Sequence, residues 1–316
     1  MPTSKPHHAF VALTLFATLA TTNPSIAAGE PAPLDPLRLG DKIPDDAYGA
    51  YQRGLYKTAL SLALERAKTG DAEAMTLAAE ILSRGLGVSQ DLSQAAELYS
   101  SAAEKGVLES QFQTALFMLQ GKYLTKDEAK AKFYLEKAVA GGHALAKFNL
   151  GQLILSKAGS DADRKKAYDL FLGAAEAGLA DAQYAVSQFL ANGTGSIPYD
   201  EAKARIWLEK AARHNYDTAM LDYASWLIDG IGGKKDYNAG FAWMKRAAES
   251  GNVAAQRQLA RLYENGIGTK GDTVTAAAWY IIAKRAKLHD AGLDDLIAGL
   301  TDEEMKKAIE LANRLK

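Results

Sequence analysis

The chain has no cysteine among its 316 residues. Disulfides, thiolate metal sites, cysteine nucleophiles and a lipidated N-terminal cysteine are therefore excluded together, and stability has to come from packing. A charge excess is missing too. The 37 basic residues face 38 acidic ones, for a formal net charge of -1, so no single-sign field draws in nucleic acid or an acidic membrane surface. Proline is almost confined to one end. Of eight prolines, seven (Pro2, Pro6, Pro24, Pro31, Pro33, Pro36, Pro44) precede residue 45, and only Pro198 follows. No apolar run reaches the ~20 residues that a membrane-spanning helix needs.

The N-terminal region reads as processing and linker sequence. Lys5 and the free amine precede an apolar core from Ala9 to Ala20, and Ser25-Ile26-Ala27 suits cleavage after Ala27, which together fit an export signal over residues 1–27. The alternative is a plain apolar tail. Residues 28–44, with Gly29-Glu-Pro-Ala-Pro-Leu-Asp-Pro36, cannot propagate a helix, because proline lacks an amide donor and restricts its predecessor. They read as a flexible or extended linker. With two membranes around the cell, the exported chain would reside in the periplasm, with no stable membrane insertion after signal cleavage.

What the rest of the chain has is a repeat. The motifs Ala-Lys-Thr-Gly70, Ala-Glu-Lys-Gly106, Val-Ala-Gly-Gly142, Ala-Glu-Ala-Gly178, Ala-Arg-His-Asn215, Ala-Glu-Ser-Gly251 and Lys-Arg-Ala-Lys287 recur at intervals of 36, 36, 36, 37, 36 and 36 residues. A period of this size belongs to stacked helix-turn-helix units that cannot bury their apolar faces alone. Small residues stand four past each anchor (Ala74, Ser110, Ala146, Ala182, Ala219, Ala255, Ala291) and nine past (Ala79, Ala115, Gly151, Ser187, Ala224, Ala260), beside larger apolar ones such as Ile81, Phe117, Phe189, Trp226 and Leu262. This is the buried stripe of a first helix.

Glycine loops close that helix at Gly85-Leu-Gly, Gly193-Thr-Gly, Gly230-Ile-Gly and Gly266-Ile-Gly, with Gly121-Lys-Tyr-Leu a weaker copy and Lys157-Ala-Gly a degenerate one. An aspartate follows each loop: Asp91, Asp127, Asp163, Asp200, Asp236 and Asp272. A carboxylate there accepts from the free amides that open a second helix, so these are expected to be caps rather than catalytic groups. Leu98, Tyr134, Leu170, Trp207, Trp243 and Trp279 then stand in register and are expected in the core. The one extra residue of the fourth interval falls in the loop Gly193 to Asp200. Residues 45–316 thus read as a single all-α solenoid, with an N-terminal cap at 45–70, repeats at 71–290 and a C-terminal capping helix at about 293–316. Thr301-Asp-Glu-Glu304 opens that last helix as a capping box, and Met305, Ile309 and Ala312 give it one apolar face.

The recurring string of small residue, aromatic or leucine, Gly-Xaa-Gly, Asp, Trp-Tyr and Ala-Ala-Glu-Xaa-Gly resembles the Sel1-like repeat, a longer-loop relative of the tetratricopeptide repeat. The match is close in units such as Ala255-Gln-Arg-Gln-Leu-Ala-Arg-Leu-Tyr-Glu-Asn-Gly-Ile-Gly. The resemblance implies a right-handed superhelix that acts as an adaptor and carries no cofactor. The export signal, proline linker, Ala-Tyr-Xaa-Arg-Gly-Xaa-Tyr-Xaa-Thr-Ala entry and charged last helix resemble alphaproteobacterial periplasmic Sel1-repeat regulators, some of which restrain a membrane sensor kinase controlling exopolysaccharide synthesis.

The chemistry of enzymes is not visible. His143, His214 and His289 sit at turns of different units and are expected to be surface residues. Gly230-Ile-Gly-Gly-Lys234-Lys235 lacks the ending and the strand-loop-helix setting of a phosphate loop. No nucleophile-base or paired-carboxylate set breaks the repeat. Solenoids bind partners along the wall of first helices, where positions that vary between units carry specificity. By that argument the candidate contacts for a protein or peptide of the cell envelope are Gln113, Asn149, Gln152, Gln188, Asp222, Ser225, Gln258 and Arg261, although an ordinary solvated face gives the same pattern. Two classes of role stay open: a regulator that docks an envelope protein such as the periplasmic domain of a sensor kinase, and an accessory factor that activates or localises a cell-wall or polysaccharide enzyme. N-terminal sequencing of protein released by osmotic shock should begin near Ala28; an intact Met1 on protein confined to the cytosol would refute the export signal.

Overall fold

A computed structural model describes residues 46–315. The export signal and linker expected over residues 1–44 lie outside the described residues. Every described regular element is a helix, apart from one isolated bridge between Thr194 and Ile197. The helices group into two units. The first, ending at Ser156, holds α1 (Asp46–Gln52), α2 (Tyr56–Lys68), α3 (Ala72–Arg84), α4 (Leu92–Glu104), α5 (Leu108–Gln120), α6 (Glu128–Ala140) and α7 (Ala144–Ser156). The second, from Lys157, holds α8 (Asp161–Glu176), α9 (Ala180–Asn192), α10 (Glu201–Arg213), α11 (Asp217–Asp229), α12 (Tyr237–Glu249), α13 (Val253–Asn265), α14 (Thr273–Arg285), α15 (Ala291–Ala298) and α16 (Asp302–Arg314). In each unit successive helices pack as antiparallel pairs, and each pair packs on the next. The architecture is all-α, stacked helix pairs, as the period implies.

The punctuation works as local chemistry requires. Asp91, Asp127, Asp200, Asp236 and Asp272 precede their helices, and their side chains accept from the backbone amides of Gln94, Lys130, Lys203, Ala239 and Thr275. Asp163 departs from this expectation. In that unit the loop is shorter, Ser160 is the cap, and its hydroxyl accepts from the amide of Asp163, which lies inside the first turn. All seven anchor residues have positive φ, including Asn215 and Lys287 where glycine is replaced. The anchor is the left-handed residue that turns the chain from a second helix into the next first helix.

The first helices bury the small residues as expected, with Ala74, Ser110, Ala146, Ala182, Ala219 and Ala255 each at most 2% exposed. Ala291 breaks the series and is exposed. In the second helices the fully buried large side chain is one residue past the expected position: Tyr99, Leu135, Phe171, Leu208, Met244 and Tyr280. Trp207 and Trp243 are half-buried, and their faces carry Lys210 and Arg246, at 3.8 and 5.2 Å from the ring centroids. Only Tyr134 and Trp279 of the expected ladder are themselves buried.

Both departures at the C-terminus follow from how the last helix seats. The expected capping helix is two helices, α15 and α16, and α16 packs on α14. Its capping box between Thr301 and Glu304 is formed. Ala308 and Ala312 are the residues it buries, whereas Ile309 is 41% exposed. The extra residue between Gly193 and Asp200 makes a tight turn in which Thr194 and Ile197 exchange backbone hydrogen bonds and Ile197 is buried.

Loop glycines set how closely neighbouring repeats approach. Gly232 and Gly268 have positive φ, and a Cβ on either would collide with the backbone carbonyl oxygen of Glu201 or Tyr237, the first residue of the second helix one repeat earlier. Gly251 also has positive φ but faces open space. Gly268→Ala should therefore destabilise by about 2–4 kcal/mol, combining left-handed strain with displacement of backbone. Gly251→Ala should cost only about 1–2 kcal/mol. Equal losses in urea unfolding would show that loop contact adds nothing to the strain.

Candidate protein-binding surface

The eight candidate residues lie on first helices, but they are less alike than their sequence positions suggest. Gln113, Asn149 and Gln152 belong to the first unit, and Gln188, Asp222, Ser225, Gln258 and Arg261 to the second. Asn149 is 8% exposed and its amide donates to the Leu145 carbonyl. This contradicts a solvated position: the side chain is buried and satisfied inside its own helix. The other seven are half-buried. Gln113 donates to Glu109 at 2.8 Å and Ser225 to the Leu221 carbonyl. Arg261 pairs with Glu264 at 3.0 Å and with Asp290, the cap of α15. Gln152, Gln188 and Gln258 have side chains with no hydrogen bond to other described residues.

Asp222 takes part in a link between repeats. The Tyr184 hydroxyl of α9 donates to it at 2.9 Å, and the Tyr184 ring lies 5.2 Å from that of Tyr216. Burial raises the Asp222 carboxyl above its usual range, with the bond from Tyr184 opposing. Burial, then the charge of Asp222, pushes the Tyr184 hydroxyl up as well. Related links join first helices elsewhere: the Thr76 and Ser110 hydroxyls meet at 2.7 Å, and Asn252 donates to Asp217 at 2.9 Å.

His143 is not the surface residue expected. Its ring stacks on Phe112 at 4.7 Å between centroids, and its Nδ1 accepts the amide of Ala146, capping α7. That role leaves the proton on Nε2, which donates to Glu109 at 2.9 Å. Burial opposes the Glu109 charge, but the bonds from His143 and Gln113 outweigh it and hold the carboxyl below its usual range. Three glutamines five past the anchor were also missed. Gln111, Gln183 and Gln256 are buried, and each amide donates to a carbonyl at the end of the preceding second helix, Ala103, Ala175 or Ala248. They satisfy acceptors that a helix C-terminus leaves open.

Six consecutive Sel1 repeats match the chain, at residues 72–107, 108–143, 144–179, 180–216, 218–252 and 253–287. The chain belongs to the Sel1 repeat family. As a Sel1-repeat scaffold it is similar to chitin synthase regulatory factor 3 of Schizosaccharomyces pombe, 28% identical over 65% of this chain and 23% of that protein. Chitin synthase regulator SKT5 of Saccharomyces cerevisiae is 26% identical over 87% of this chain and 42% of that protein. The chain thus spans less than half the length of either relative. Among solved structures, a protective antigen of uropathogenic Escherichia coli displaying an SLR fold matches with a TM-score of 0.71 at 25% identity, over 86% of this chain and 61% of that one. A Sel1 repeat protein from Oxalobacter formigenes matches with a TM-score of 0.64 at 24% identity, over 77% and 97%. These Sel1 structures establish the fold. Among the described residues no helix is long and apolar enough to cross a membrane, and no three His, Asp or Glu side chains converge as metal ligands would.

The raised Asp222 carboxyl means that the folded chain holds this proton more tightly than the unfolded chain does. The stability it contributes is full below the unfolded carboxyl value and is lost as pH rises through the raised folded value. Asp222→Asn keeps an acceptor for Tyr184 and removes the buried charge. It should be at least as stable as the parent at neutral pH, with its advantage shrinking towards about pH 4. A variant destabilised at neutral pH, and less so near pH 4, would show that the charge itself holds the link.

Proposed function

We propose that this chain is a non-catalytic scaffold of the cell envelope that serves as an accessory factor for an enzyme building a cell-wall or envelope polysaccharide. The observation that carries this is the Sel1 array itself, aligned over 87% of the chain with a protein named as a chitin synthase regulator and over 65% with one named as a chitin synthase regulatory factor. A stacked array of this kind presents long helical faces, and such faces recognise proteins. The contact is assigned to the first helices of each unit by itself, with Gln152 in the first unit and Gln188 and Gln258 in the second as the side chains that a partner meets, since their amides are not committed to internal bonds. Export to the periplasm belongs to this reading and rests on residues 1–27.

A second reading, restraint of an envelope sensor kinase, is favoured by the order of signal, proline linker, capped repeats and charged last helix. The two predict different partners. Crosslinked capture from envelope extracts should return a polysaccharide synthase or its membrane assembly, and loss of the chain should lower polymer output without changing transcription of the synthase genes. Recovery of a kinase, with altered transcription, would replace the first reading by the second. Gln152→Ala, and separately Gln188→Ala with Gln258→Ala, should weaken capture several-fold while stability changes by no more than about 0.5 kcal/mol per site. Unchanged capture by both variants would remove the first-helix face from the assignment.

A further inference from the structure

Near-neutral net charge conceals a local exception in the first unit. The loop after α5 and helix α6 carry Lys122, Lys126, Lys130, Lys132 and Lys137, all exposed. Among the described residues none of the five makes an ion pair. Four second-helix lysines elsewhere do, Lys165 with Asp169, Lys203 with Asp200, Lys245 with Glu249 and Lys284 with Asp294, and unpaired Lys166 and Lys210 are single exceptions on their helices. Three of the five instead lie over aromatic rings, Lys122 at 5.0 Å from Tyr123, Lys130 at 5.8 Å from Tyr134 and Lys137 at 5.4 Å from Phe133.

Helical spacing turns these residues into a stripe. Lys130, Phe133 and Lys137 follow one another at i, i+3 and i+7, so they share a face. Lys126 is exposed in the loop two residues before the helix start. Phe133 lies in the middle of the line and is 50% exposed, although burying its ring would stabilise the chain by about 1.5–3 kcal/mol. Of the acids of the segment, Asp127 has its carboxylate turned to the Lys130 amide, Glu128 falls on the far side of the helix, and Glu136, at i+3 from Phe133, borders the stripe at one edge.

We propose that this stripe is a docking surface for an anionic membrane, with the lysines at the lipid phosphates and Phe133 entering the headgroup layer. A protein partner fits the composition less well. The cores of protein interfaces are poor in lysine and rich in arginine, tyrosine and tryptophan, and the stripe has no arginine. Lysine is a strongly hydrated point charge on a flexible stem, suited to a diffuse negative potential rather than to a forked bond with one carboxylate. Basic residues that sit next to an anionic bilayer are drawn to it additively, and an aromatic side chain among them is at home in the interfacial layer. Docking of this kind is peripheral and needs no spanning helix. It holds whichever protein the scaffold regulates.

The test is co-sedimentation of the full chain with vesicles of phosphatidylcholine containing about 30 mol% phosphatidylglycerol, a charge density typical of anionic leaflets, against phosphatidylcholine alone. Any contribution of the apolar run Ala9 to Ala20 appears in the neutral baseline and is subtracted. Binding above baseline should weaken steeply as salt shortens the screening length. Lys126→Gln with Lys130→Gln and Lys137→Gln should lower partitioning on the order of a hundredfold, roughly fivefold per lysine, with helicity unchanged. Phe133→Ser should lower it several-fold without altering the salt dependence. The assignment fails if binding does not depend on phosphatidylglycerol, if the triple variant binds as the parent does, or if Lys234→Gln with Lys235→Gln and Lys270→Gln causes the same loss. It also fails if the stripe variant keeps its vesicle binding and loses an acidic protein partner, since the stripe would then be a protein contact.

Discussion

Close approach of backbones between successive repeats is the constraint on which the structure depends. A 36-residue unit has too little apolar surface to stand alone, so its helices must touch the next pair, and they touch through residues that add almost no bulk. Ala74, Ala146, Ala182, Ala219 and Ala255 are buried at the helix contacts, while Gly232 and Gly268 bring their loops against carbonyls of the preceding repeat. Alanine and glycine contribute little burial energy themselves. They bring Tyr99, Leu135, Phe171, Leu208, Met244 and Tyr280 within reach of neighbouring side chains, and these large groups supply the apolar burial.

The parts of this design that are local in sequence were legible in the sequence. The anchor spacing locates the left-handed residue at each of the seven turns from a second helix into the next helix, even where Asn215 and Lys287 replace glycine, because a helix must end where the chain reverses. Five of six aspartates were read correctly as caps, because a cap acts on an amide three residues away. Asp163 failed for an equally local reason: Ser160 reaches the same amides first once the loop shortens. The second-helix core was misplaced by one residue, since helical periodicity allows either of two adjacent positions and only the neighbouring helix decides between Trp207 and Leu208. Tryptophan also tolerates a half-buried place under a cation, as Lys210 and Arg246 show.

The contact face was less legible, because one polar side chain can serve the stack, a partner, or both. Variation between repeats identifies positions that the core does not dictate, but it does not separate solvent contact from links between helices. The spacing of those links is itself a signal. Thr76 with Ser110, Glu109 with His143, Tyr184 with Asp222 and Asp217 with Asn252 are 34, 34, 38 and 35 residues apart, within two of the period. Polar pairs at nearly one repeat length are candidates for joining first helices before they are candidates for binding. Asn149 and Arg261 likewise turn inward, one to its own helix and one to the cap of α15. Replacing any of these mixes lost hydrogen bonds, each worth about 0.5–1.5 kcal/mol, with lost contact.

The same reasoning separates two surfaces of the first unit. A residue kept polar by the stack has a partner in the stack, as Glu109 has in His143 and Gln113. Among the described residues the lysines of α6 have no acidic partner, and Phe133 is left half in water beside them. Long-range attraction between their charges and an anionic surface falls off within a Debye length of about 8 Å in physiological salt, so a chain of net charge -1 is not repelled as a whole at the distance where the stripe acts. Composition averaged over 316 residues therefore excludes a global field but places no limit on a patch of four or five side chains. Gln152 lies on a first helix and the stripe on a second helix of the same unit, so a partner held at Gln152 leaves the lysines free, and both contacts can be made at once.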